Sequence, residues 1–357
     1  MESRKLQKVG YSTITVSLPS EWVKQNKISP GDLVFLSSER DGTLRIMPSQ
    51  IAQREEAEEF IVNADAVDSN GLLERIVVGC YILGHDVIRI TSATRIEKEQ
   101  IDEVRRVVRK LIGLGIIEET PRSILLQCSV DPAKFKLDML TRRLSLIAST
   151  ILLEAIQAFV DGNESLAQEA ISREDEADTI YYLAVRLLLS AQVKPDIAEQ
   201  IGAIDILFIP ATRLILQYLE LIADYAEDIA KRIVELKIYR KKLPPEIIER
   251  IQNLSESTQT VFQKALDCIF TGDLKVANEV LEMKKVIELE SNRFMREAPE
   301  IIYIRSVVTC LNKVADIGAT IANIAINKAL EQPNKYVEDI IRTVKHTRTV
   351  PISSKRN

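Results

Sequence analysis

Three carboxylates recur at four-residue spacing inside a helical pattern in the second half of the chain. Glu220, Asp224 and Asp228 fall in the stretch YLELIADYAEDIAKRI, residues 218–233. Apolar residues at intervals of three and four predict that this stretch is a helix with one buried face. Residues four apart stack along one ridge of a helix, so the three side chains form an acidic stripe beside that face. Carboxylate oxygens in such a stripe can bind a hard or borderline cation.

An ordinary solvated helix face is the alternative interpretation of the same stripe. Asp228 is followed four residues later by Arg232, and Glu227 is followed at the same spacing by Lys231. That is the spacing of ion pairs on a helix surface. The first two carboxylates of the stripe have no basic residue one turn later, so both interpretations stay open.

Composition favours a helical, mildly acidic protein of two or three domains. The chain has 357 residues, with 46% hydrophobic and only 5% aromatic residues. Leu, Ile and Ala therefore supply the core, which favours helices over an all-β sandwich. The formal net charge is -5, so nucleic-acid binding requires a local basic patch.

Cysteine and histidine usage restricts the chemistry. The four cysteines are far apart and form no CxxC, so zinc and disulfide sites are disfavoured, and we expect reduced, buried thiols. There are two histidines, His85 and His346. A Ser-His-Asp triad has almost no material, and the Glu-x-x-His motif of di-iron bundles is missing from residues 134–345. A metalloenzyme is therefore the weakest hypothesis, and we predict a protein that is not an enzyme.

Targeting signals also bear on the location. The start, MESRKLQKVG, lacks the apolar region of a signal peptide. No uninterrupted apolar run reaches the roughly 20 residues that cross a bilayer. We therefore expect a cytoplasmic protein without direct membrane insertion.

Residues 1–49 predict a small β domain. Short strands are expected at 5–9 and 12–18, a helical turn at 19–26, and a hairpin of strands 33–37 and 43–47. Four short strands enclose too little core for a stable monomer. We therefore expect this segment to dimerise.

The order of these elements resembles the AbrB/SpoVT swapped-hairpin DNA-binding domain. The residues that carry the match are Pro19, Ile28, Gly31, Asp32 and Val34. The resemblance implies an intertwined homodimer that presents basic residues to DNA. The candidates for phosphate contacts are Arg4, Lys5 and Lys8. Alternatively, these side chains protect an exposed edge strand from pairing.

Residues 50–131 read as a linker followed by a short α+β segment. Residues 50–60 are charged and predict a helical connector. Helices are expected at 71–83 and 97–113, and strands at 86–91, 115–119 and 123–130. The second helix is basic, through Arg105, Arg106, Arg109 and Lys110. It either contacts DNA or an acidic partner, or it is a solvated face.

From residue 134 to about 345 nearly the whole chain predicts long amphipathic helices. They are expected at 135–161, 164–192, 196–241 with a kink near Pro210, 246–270, 273–296 and 299–332. Residues 159–171 parallel residues 270–281, which indicates an internal repeat. We therefore predict a mainly α fold in which tandem three-helix bundles, 132–242 and 243–345, follow the β domain and the α+β segment. The tail 346–357 is expected to be flexible.

The acidic third helix of the first bundle resembles that of the PhoU phosphate-uptake regulators. Its run L-E-x-I-A-D-Y-A-E-D-I-A places Glu220 and Asp224 on an E-x-x-x-D pattern, with Asp228 at a neighbouring position that is Asn in that family. Glu174 and Asp178 supply E-x-x-x-D on the second helix. The resemblance implies a metal site, binding a divalent or iron-type ion, on these acidic faces, and a regulatory link to phosphate transport and its signalling.

The second bundle departs from this pattern. When the repeats are aligned, Lys284 stands at the position of Glu174, and Asn312 stands at that of Glu220, whereas Asp316 is retained. We expect Lys284 to pair with Asp316 or Glu288 in place of a metal ion. At most one metal cluster is therefore predicted, in the first repeat.

Two functions remain in competition. The first is a transcriptional regulator of phosphate uptake, in which a dimeric DNA-binding head is coupled to a metal-binding helical sensor. The second is an adaptor that regulates a phosphate transporter or its signalling proteins without binding DNA. The expected partners are accordingly DNA, a second copy of the chain, and phosphate-transport or signalling proteins.

Overall fold

The computed structural model describes residues 3–38, 42–48, 59–203, 205–236, 243–297, 302–331 and 335–337. The N-terminal part contains two separate two-stranded hairpins. Its elements are β1 (Gln7–Val9), β2 (Thr13–Thr15), α1 (Ser20–Gln25), β3 (Val34–Ser38) and β4 (Leu44–Pro48). Both pairs are antiparallel, and Phe35 lies opposite Met47. Gly31 has a φ of +103° before β3, a conformation that glycine adopts readily. The predicted strands, helical turn and hairpin are confirmed.

The α+β segment is a four-stranded sheet with two helices. Its elements are β5 (Glu59–Asn63), α2 (Leu72–Ile82), β6 (Val87–Thr91), α3 (Lys98–Lys110), β7 (Leu114–Glu119) and β8 (Ser123–Cys128). The strand order is β5-β6-β8-β7. β5 and β6 are parallel, and the other two pairs are antiparallel. Alternate strand residues such as Ile88, Ile90 and Leu126 are buried and share one core with residues of α2 and α3.

Strand β5 corrects the sequence interpretation. Residues 50–60 were predicted to be a helical connector, but Glu59 and Phe60 begin β5, and residues 50–58 lie outside the described residues. The charged run REEAE directly before EFIVN favours a helix locally. Pairing with β6 over five residues overrides that preference, because β-pairing depends on tertiary context.

A buried carboxylate stabilises α2 in this segment. Glu103 of α3 is buried, and its carboxylate accepts the backbone N–H of Gly71 at 2.6 Å and that of Glu74 at 3.2 Å. These amides belong to the first turn of α2, where unpaired N–H groups and the helix dipole favour a negative charge. The contact fixes α2 against α3.

The helical part is a tandem pair of three-helix bundles, as predicted. Its helices are α4 (Leu137–Asp161), α5 (Glu164–Val193), α6 (Pro195–Ile201), α7 (Ile209–Leu236), α8 (Pro245–Thr271), α9 (Leu274–Glu297) and α10 (Ile302–Ala329). α4, α5 and α7 pack together as repeat 1, and α8, α9 and α10 pack together as repeat 2. Contacts of α7 with α10 and of α4 with α8 join the repeats into one core.

The two repeats share the same turn between their first two helices. Gly162 ends α4 and Gly272 ends α8, with φ of +66° and +67°. Asn163 then accepts a backbone N–H at the start of α5, and Asp273 does so at the start of α9. A left-handed glycine followed by a capping side chain stops one helix and starts the next. This turn is the structural basis of the parallel between residues 159–171 and 270–281.

The predicted single helix 196–241 is wrong. α6 ends at Ile201, and Gly202 adopts a φ of +81°. The chain resumes as a helix at Ile209, so Pro210 lies in the first turn of α7 and does not kink a continuous helix. Proline fits a first helical turn because its missing N–H has no partner there. Residues 237–241 lie outside the described residues.

Buried Arg186 fastens the α+β segment to repeat 1. Its side chain, on α5, is only 5% exposed and pairs with Asp86. It also donates to the carbonyl of Tyr81 at 2.6 Å and to that of His85 at 3.1 Å. The guanidinium carbon lies 4.8 Å from the centroid of the Tyr81 ring. One side chain of the second bundle helix therefore satisfies several acceptors at the end of α2.

The four cysteines and two apolar helices complete the core. All four cysteines are buried and free, as predicted. α4 and α10 are long and apolar enough to cross a membrane by length and composition alone, and over half of each apolar window is buried inside the bundles. Core helices pass the same test, so the absence of membrane insertion remains a prediction.

Candidate functional site

The neighbouring helices α5 and α7 bring four of the predicted metal-site carboxylates together. Glu174 and Asp178 stand one turn apart on α5, and Glu220 and Asp224 stand one turn apart on α7. All four side chains are half-buried. Charge interactions connect Asp224 with Glu174 and Asp178 with Glu220 across the two helices. We call these four residues the acidic cluster.

Burial and mutual repulsion disfavour the charged form of these carboxylates. Burial, followed by the charge of Asp178, raises the pKa of Glu174 to about 7. Burial, followed by the charge of Asp224, raises the pKa of Glu220 to about 7. Burial and the charge of Asp178 raise the pKa of Asp224 to about 6, and burial also raises that of Asp178. The cluster therefore takes up protons near neutral pH unless another cation neutralises it.

Neutral hydrogen-bond donors orient two of the carboxylates. The Tyr182 hydroxyl donates to Asp178 at 3.3 Å, and the Gln217 amide donates to Glu220 at 2.6 Å. The Tyr181 hydroxyl in turn donates to the Gln217 oxygen at 2.6 Å. Arg213 of α7 also donates to that oxygen, at 3.3 Å, and its charge opposes the rise in the pKa of Glu220.

Two lysines border the acidic cluster. Lys110 of α3 reaches across to Asp175 of α5 at 2.7 Å. Lys231 pairs with Glu227 on α7 at 2.6 Å, which confirms that predicted surface ion pair. Glu227 raises the pKa values of Glu174 and Asp224 further, so its charge acts on the cluster as well.

Asp228 lies at the end of the stripe that faces repeat 2. Burial raises the pKa of the Cys310 thiol on α10 to about 11, and the charge of Asp228 contributes. The predicted ion pair of Asp228 with Arg232 is wrong, because Arg232 donates to Glu235 at 2.8 Å. Sequence spacing alone does not distinguish partners three residues away from those four residues away.

The carboxylates of the acidic cluster do not converge as the ligands of a metal ion in this structure. Within the described ranges, no three acidic, histidine or cysteine side chains converge closely enough to hold a metal ion. The oxygen-only donor chemistry suits a hard cation. Coordination would therefore require the carboxylates of the acidic cluster to rotate toward a common point.

Repeat 2 carries an ion-pair network at the corresponding place. Lys284 on α9 pairs with Glu288 at 2.7 Å and with Asp316 of α10 at 3.0 Å. Asn312 donates to the same aspartate at 3.4 Å. The prediction that Lys284 pairs with these carboxylates is confirmed. A lysine ammonium stands here at the position that the carboxylate of Glu174 occupies in repeat 1.

The basic candidates fall into two groups. Lys8 is exposed on β1, and Arg4 and Lys5 are exposed in the segment before it. On α3, in contrast, Arg105 pairs with Glu119 and Arg106 with Glu74, so this helix face is occupied by intramolecular ion pairs. A solvated face is therefore the better account of α3, and the N-terminal group remains the candidate for phosphate contacts.

Sequence reasoning missed Lys110, Tyr182 and Glu227 as neighbours of the cluster. Tyr182 follows Asp178 by four residues, so the helical spacing contained a signal for it. Glu227 was assigned only to a surface ion pair. Lys110 comes from a different subdomain, and no local pattern in the sequence connects it to α5.

Comparison with known proteins gives two family matches. Residues 141–233 match the model of the PhoU domain, a range that runs from the second turn of α4 into the last turn of α7. Residues 7–53 match the model described as antidote-toxin recognition MazE, bacterial antitoxin. Among curated proteins, none matches this chain.

Two solved structures are similar to the chain at low identity. PhoU from Pseudomonas aeruginosa is 19% identical with a TM-score of 0.48, and the match covers 55% of this chain and 96% of that one. The phosphate transport system regulatory protein PhoU from Streptococcus pneumoniae is 13% identical with a TM-score of 0.43, covering 57% and 96%. The family matches confirm both resemblances: residues 141–233, in the first helical repeat, match a PhoU domain, and residues 7–53, at the N-terminus, match a MazE/AbrB-type domain.

Proposed function

We propose that this chain is a cytoplasmic, non-catalytic regulator of phosphate uptake that binds DNA as a dimer. The match of residues 141–233 to the PhoU domain supports the link to phosphate uptake, because the family that this region resembles regulates phosphate uptake. The MazE/AbrB-type domain supports DNA binding and dimerisation. A DNA-binding head fused to a helical sensor is a layout suited to transcriptional control.

The observation that carries this proposal is an exposed apolar surface on the N-terminal β domain, residues 1–49, which we call the head. Its two hairpins do not share a sheet. Large apolar side chains stand exposed on both of them, namely Leu6, Val9, Ile14, Val16, Leu33, Phe35, Leu36 and Leu44. A soluble segment of this size does not retain such a surface alone. Two interleaved copies would bury it and would place two sets of Arg4, Lys5 and Lys8 on one assembly.

The acidic cluster is the proposed sensor element. Four half-buried carboxylates with raised pKa values favour either protons or a cation. We propose that Glu174, Asp178, Glu220 and Asp224 bind one divalent or iron-type cation in repeat 1, with Asp228 as a flanking acid. Lys110 ties the α+β segment to α5 beside this cluster. A change of charge in the cluster would consequently alter this contact with the α+β segment, which lies between the head and repeat 1 in the sequence.

A gel shift tests the DNA function. The full chain is titrated onto the promoter DNA of a phosphate transporter at several salt concentrations. Neutralising Arg4, Lys5 and Lys8 to Gln should weaken binding and reduce the salt slope by about 0.9 for each phosphate that is no longer neutralised. The control is Lys285→Gln in repeat 2, which should bind like wild type.

The adaptor without DNA binding is the competing function, and the same gel shift decides between them. Salt-sensitive binding that survives in Lys285→Gln and fails in the head variant supports the DNA regulator. If the wild-type chain shows no binding at physiological ionic strength, the DNA function is wrong and the adaptor is favoured.

Calorimetric titration with Mn²⁺ tests the cation site separately. Wild-type protein should bind the ion, and Asp224→Asn should weaken binding at least tenfold, since one charged ligand is removed. Glu169→Gln removes an exposed carboxylate from the same helix as Glu174 and serves as the control. Equal affinities of wild type and Asp224→Asn would remove the proposed site.

A further inference from the structure

The four-stranded sheet has two edges that differ in their protection. At the β7 edge stand Glu118 and Glu119, and the register with β8 shifts between Ile116 and Glu118. Charges and bulges are common devices that keep an edge strand from pairing with another chain. At the other edge, β5 has the sequence EFIVN and runs in unbroken register with β6 over its five residues. It has no proline, glycine or lysine, and its one charged side chain, Glu59, is paired with Arg89 of β6.

Apolar side chains stand exposed at the β5 edge. Ile61 is 64% exposed, on the sheet face opposite the buried Val62. Phe60 stacks on the His85 ring with 4.3 Å between centroids, and 40% of it remains exposed. In the part of the chain that the structure describes, β6 is the one strand paired with β5. An open edge with exposed apolar side chains is a template for a further strand.

The sequence of β5 is complementary to itself. When two copies are antiparallel about a two-fold axis through Ile61, that residue faces its own copy. Phe60 then faces Val62, and Glu59 faces Asn63. Apolar side chains oppose apolar ones, and each carboxylate opposes a neutral amide that can donate to it, so no like charges meet.

The short connection to the head keeps the β5 strand of a second copy close by. Ten residues, 49–58, separate β4 from β5. Such a segment spans at most about 36–40 Å, so two copies joined at their heads hold their β5 strands within a limited volume. Short tethers give effective concentrations in the millimolar range. A five-residue pairing that is too weak to associate free chains is therefore sufficient.

We propose that β5 pairs antiparallel with β5 of a second copy of this chain and joins the two four-stranded sheets into one. This interface rests on the dimer of heads proposed above. It is isologous, as a two-fold dimer requires. It fixes the α+β segments of the two copies relative to each other. Because Arg186 attaches each segment to repeat 1, it also fixes the repeat 1 of one copy relative to that of the other.

Disulfide trapping of the full chain tests the pairing. Directly opposite residues of an antiparallel pair have Cα atoms about 4.5–5.5 Å apart, within the range of roughly 4.4–6.8 Å that a disulfide bridges. Ile61→Cys should therefore form a covalent dimer on mild oxidation at low micromolar concentration. The native cysteines are buried, and the control is Ile117→Cys, since Ile117 is 59% exposed on the β7 edge.

Covalent dimer in Ile61→Cys and not in Ile117→Cys supports the pairing. If Ile61→Cys stays uncoupled although light scattering shows a dimer, the β5 interface is wrong and the dimer of heads stands. If light scattering shows a monomer, both interfaces are wrong. Ile61→Lys, a change at an exposed position, should in addition raise the dimer dissociation constant about tenfold, a loss of about 1.4 kcal/mol. An unchanged constant would also overturn the proposal.

Discussion

Glu174 and Lys284 stand at equivalent positions of the two repeats and carry opposite charges. In repeat 2 the ammonium of Lys284 lies within 3.0 Å of both Glu288 and Asp316. In repeat 1 the corresponding carboxylates face one another, and burial raises their pKa values. Together with Asn312, which replaces Glu220, this exchange gives repeat 2 an internal ion pair where repeat 1 has half-buried carboxylates with raised pKa values.

The acidic cluster should make the cation-free protein less stable as pH rises. The folded-state pKa values of Glu174 and Glu220, about 7, lie above the usual value of 4.5. The folded state therefore binds these protons more tightly than the unfolded state, and the resulting stability is lost as pH rises through the folded pKa. We expect the Tm to fall by several degrees between about pH 5 and pH 8.

Scanning calorimetry with chelator checks this pH dependence. Glu174→Gln should flatten the fall in Tm, because a group that titrates in this range is removed. Glu169→Gln, an exposed change on the same helix, should retain the wild-type profile. A Tm that rises from pH 5 to pH 8 in wild type would contradict the proton linkage.

Lys284 should matter more to stability than its neighbour Lys285. The Lys284 side chain is 25% exposed and neutralises two carboxylates. That of Lys285 is 65% exposed and, among the described residues, pairs with Glu282 alone. Lys284→Met should lower the free energy of unfolding by about 1 kcal/mol. Lys285→Met should change it by less than about 0.5 kcal/mol. Urea unfolding measures both, and equal effects would show that the network in repeat 2 contributes nothing specific.

Spacing within one helix predicted the Glu227–Lys231 ion pair but not the partner of Arg232. Alignment of the two repeats placed Lys284 beside Asp316, and the structure agrees. Within a single helix, spacing suggested Asp228 as the partner of Arg232, whereas Arg232 forms its ion pair with Glu235. Both partners fit a helix surface, and only the surrounding packing decides between them.

At the scale of elements, long periodic segments were predicted well and short ones were not. The apolar period of α4, α5 and α8 extends over more than twenty residues, so local errors average out. β5 has five residues after a charged run, and its strand conformation depends on β6, more than twenty residues away. The end of α6 had a local signal, Gly202. Apolar residues continue at helical spacing after it, so the sequence did not predict the break between α6 and α7.

The docking of the α+β segment on α5 had no signal in the sequence. Arg186 and Asp86 are 100 residues apart, and neither stands in a motif. A buried arginine with several acceptors is costly to remove, because the carbonyl of Tyr81 and the carboxylate of Asp86 lose their partner. Arg186→Met should therefore lower the free energy of unfolding by about 2–3 kcal/mol.

Urea denaturation with two probes tests this packing between elements. Arg186→Met should separate the transition of the α+β segment from that of the bundles, because the attachment between them is weakened. Arg293→Met removes an exposed ion pair with Glu297 in repeat 2 and should change the free energy by less than about 0.5 kcal/mol. A single unchanged transition in Arg186→Met would show that other interactions hold the segment in place.

At the scale of the whole molecule, three links connect the head to the acidic cluster. The ten residues 49–58 tie the head to β5. Arg186 fastens the end of α2 to α5, and Lys110 connects α3 with Asp175 on the same helix. Asp175 directly follows Glu174 of the cluster. The proposed regulation requires a route from a charge change at the cluster to the segment that precedes repeat 1, and Lys110 and Arg186 supply contacts along that route.

The strongest test of this layout is a charge in the apolar surface of the head. Leu36 is exposed on β3 and lies opposite Ile46 of β4, on the surface that a second copy would cover. An aspartate there would be buried without a partner on dimerisation, which disfavours the dimer by several kcal/mol. Leu36→Asp should therefore be a monomer by light scattering at micromolar concentration and should bind DNA at least tenfold more weakly, since a monomer presents only one of the two sets of basic residues to the phosphates. Leu289→Asp places the same charge on the exposed surface of α9 and should remain a dimer with wild-type DNA affinity. If Leu36→Asp also remains a dimer with wild-type affinity, the two hairpins do not form the subunit interface, and the head must bury its apolar surface in another way.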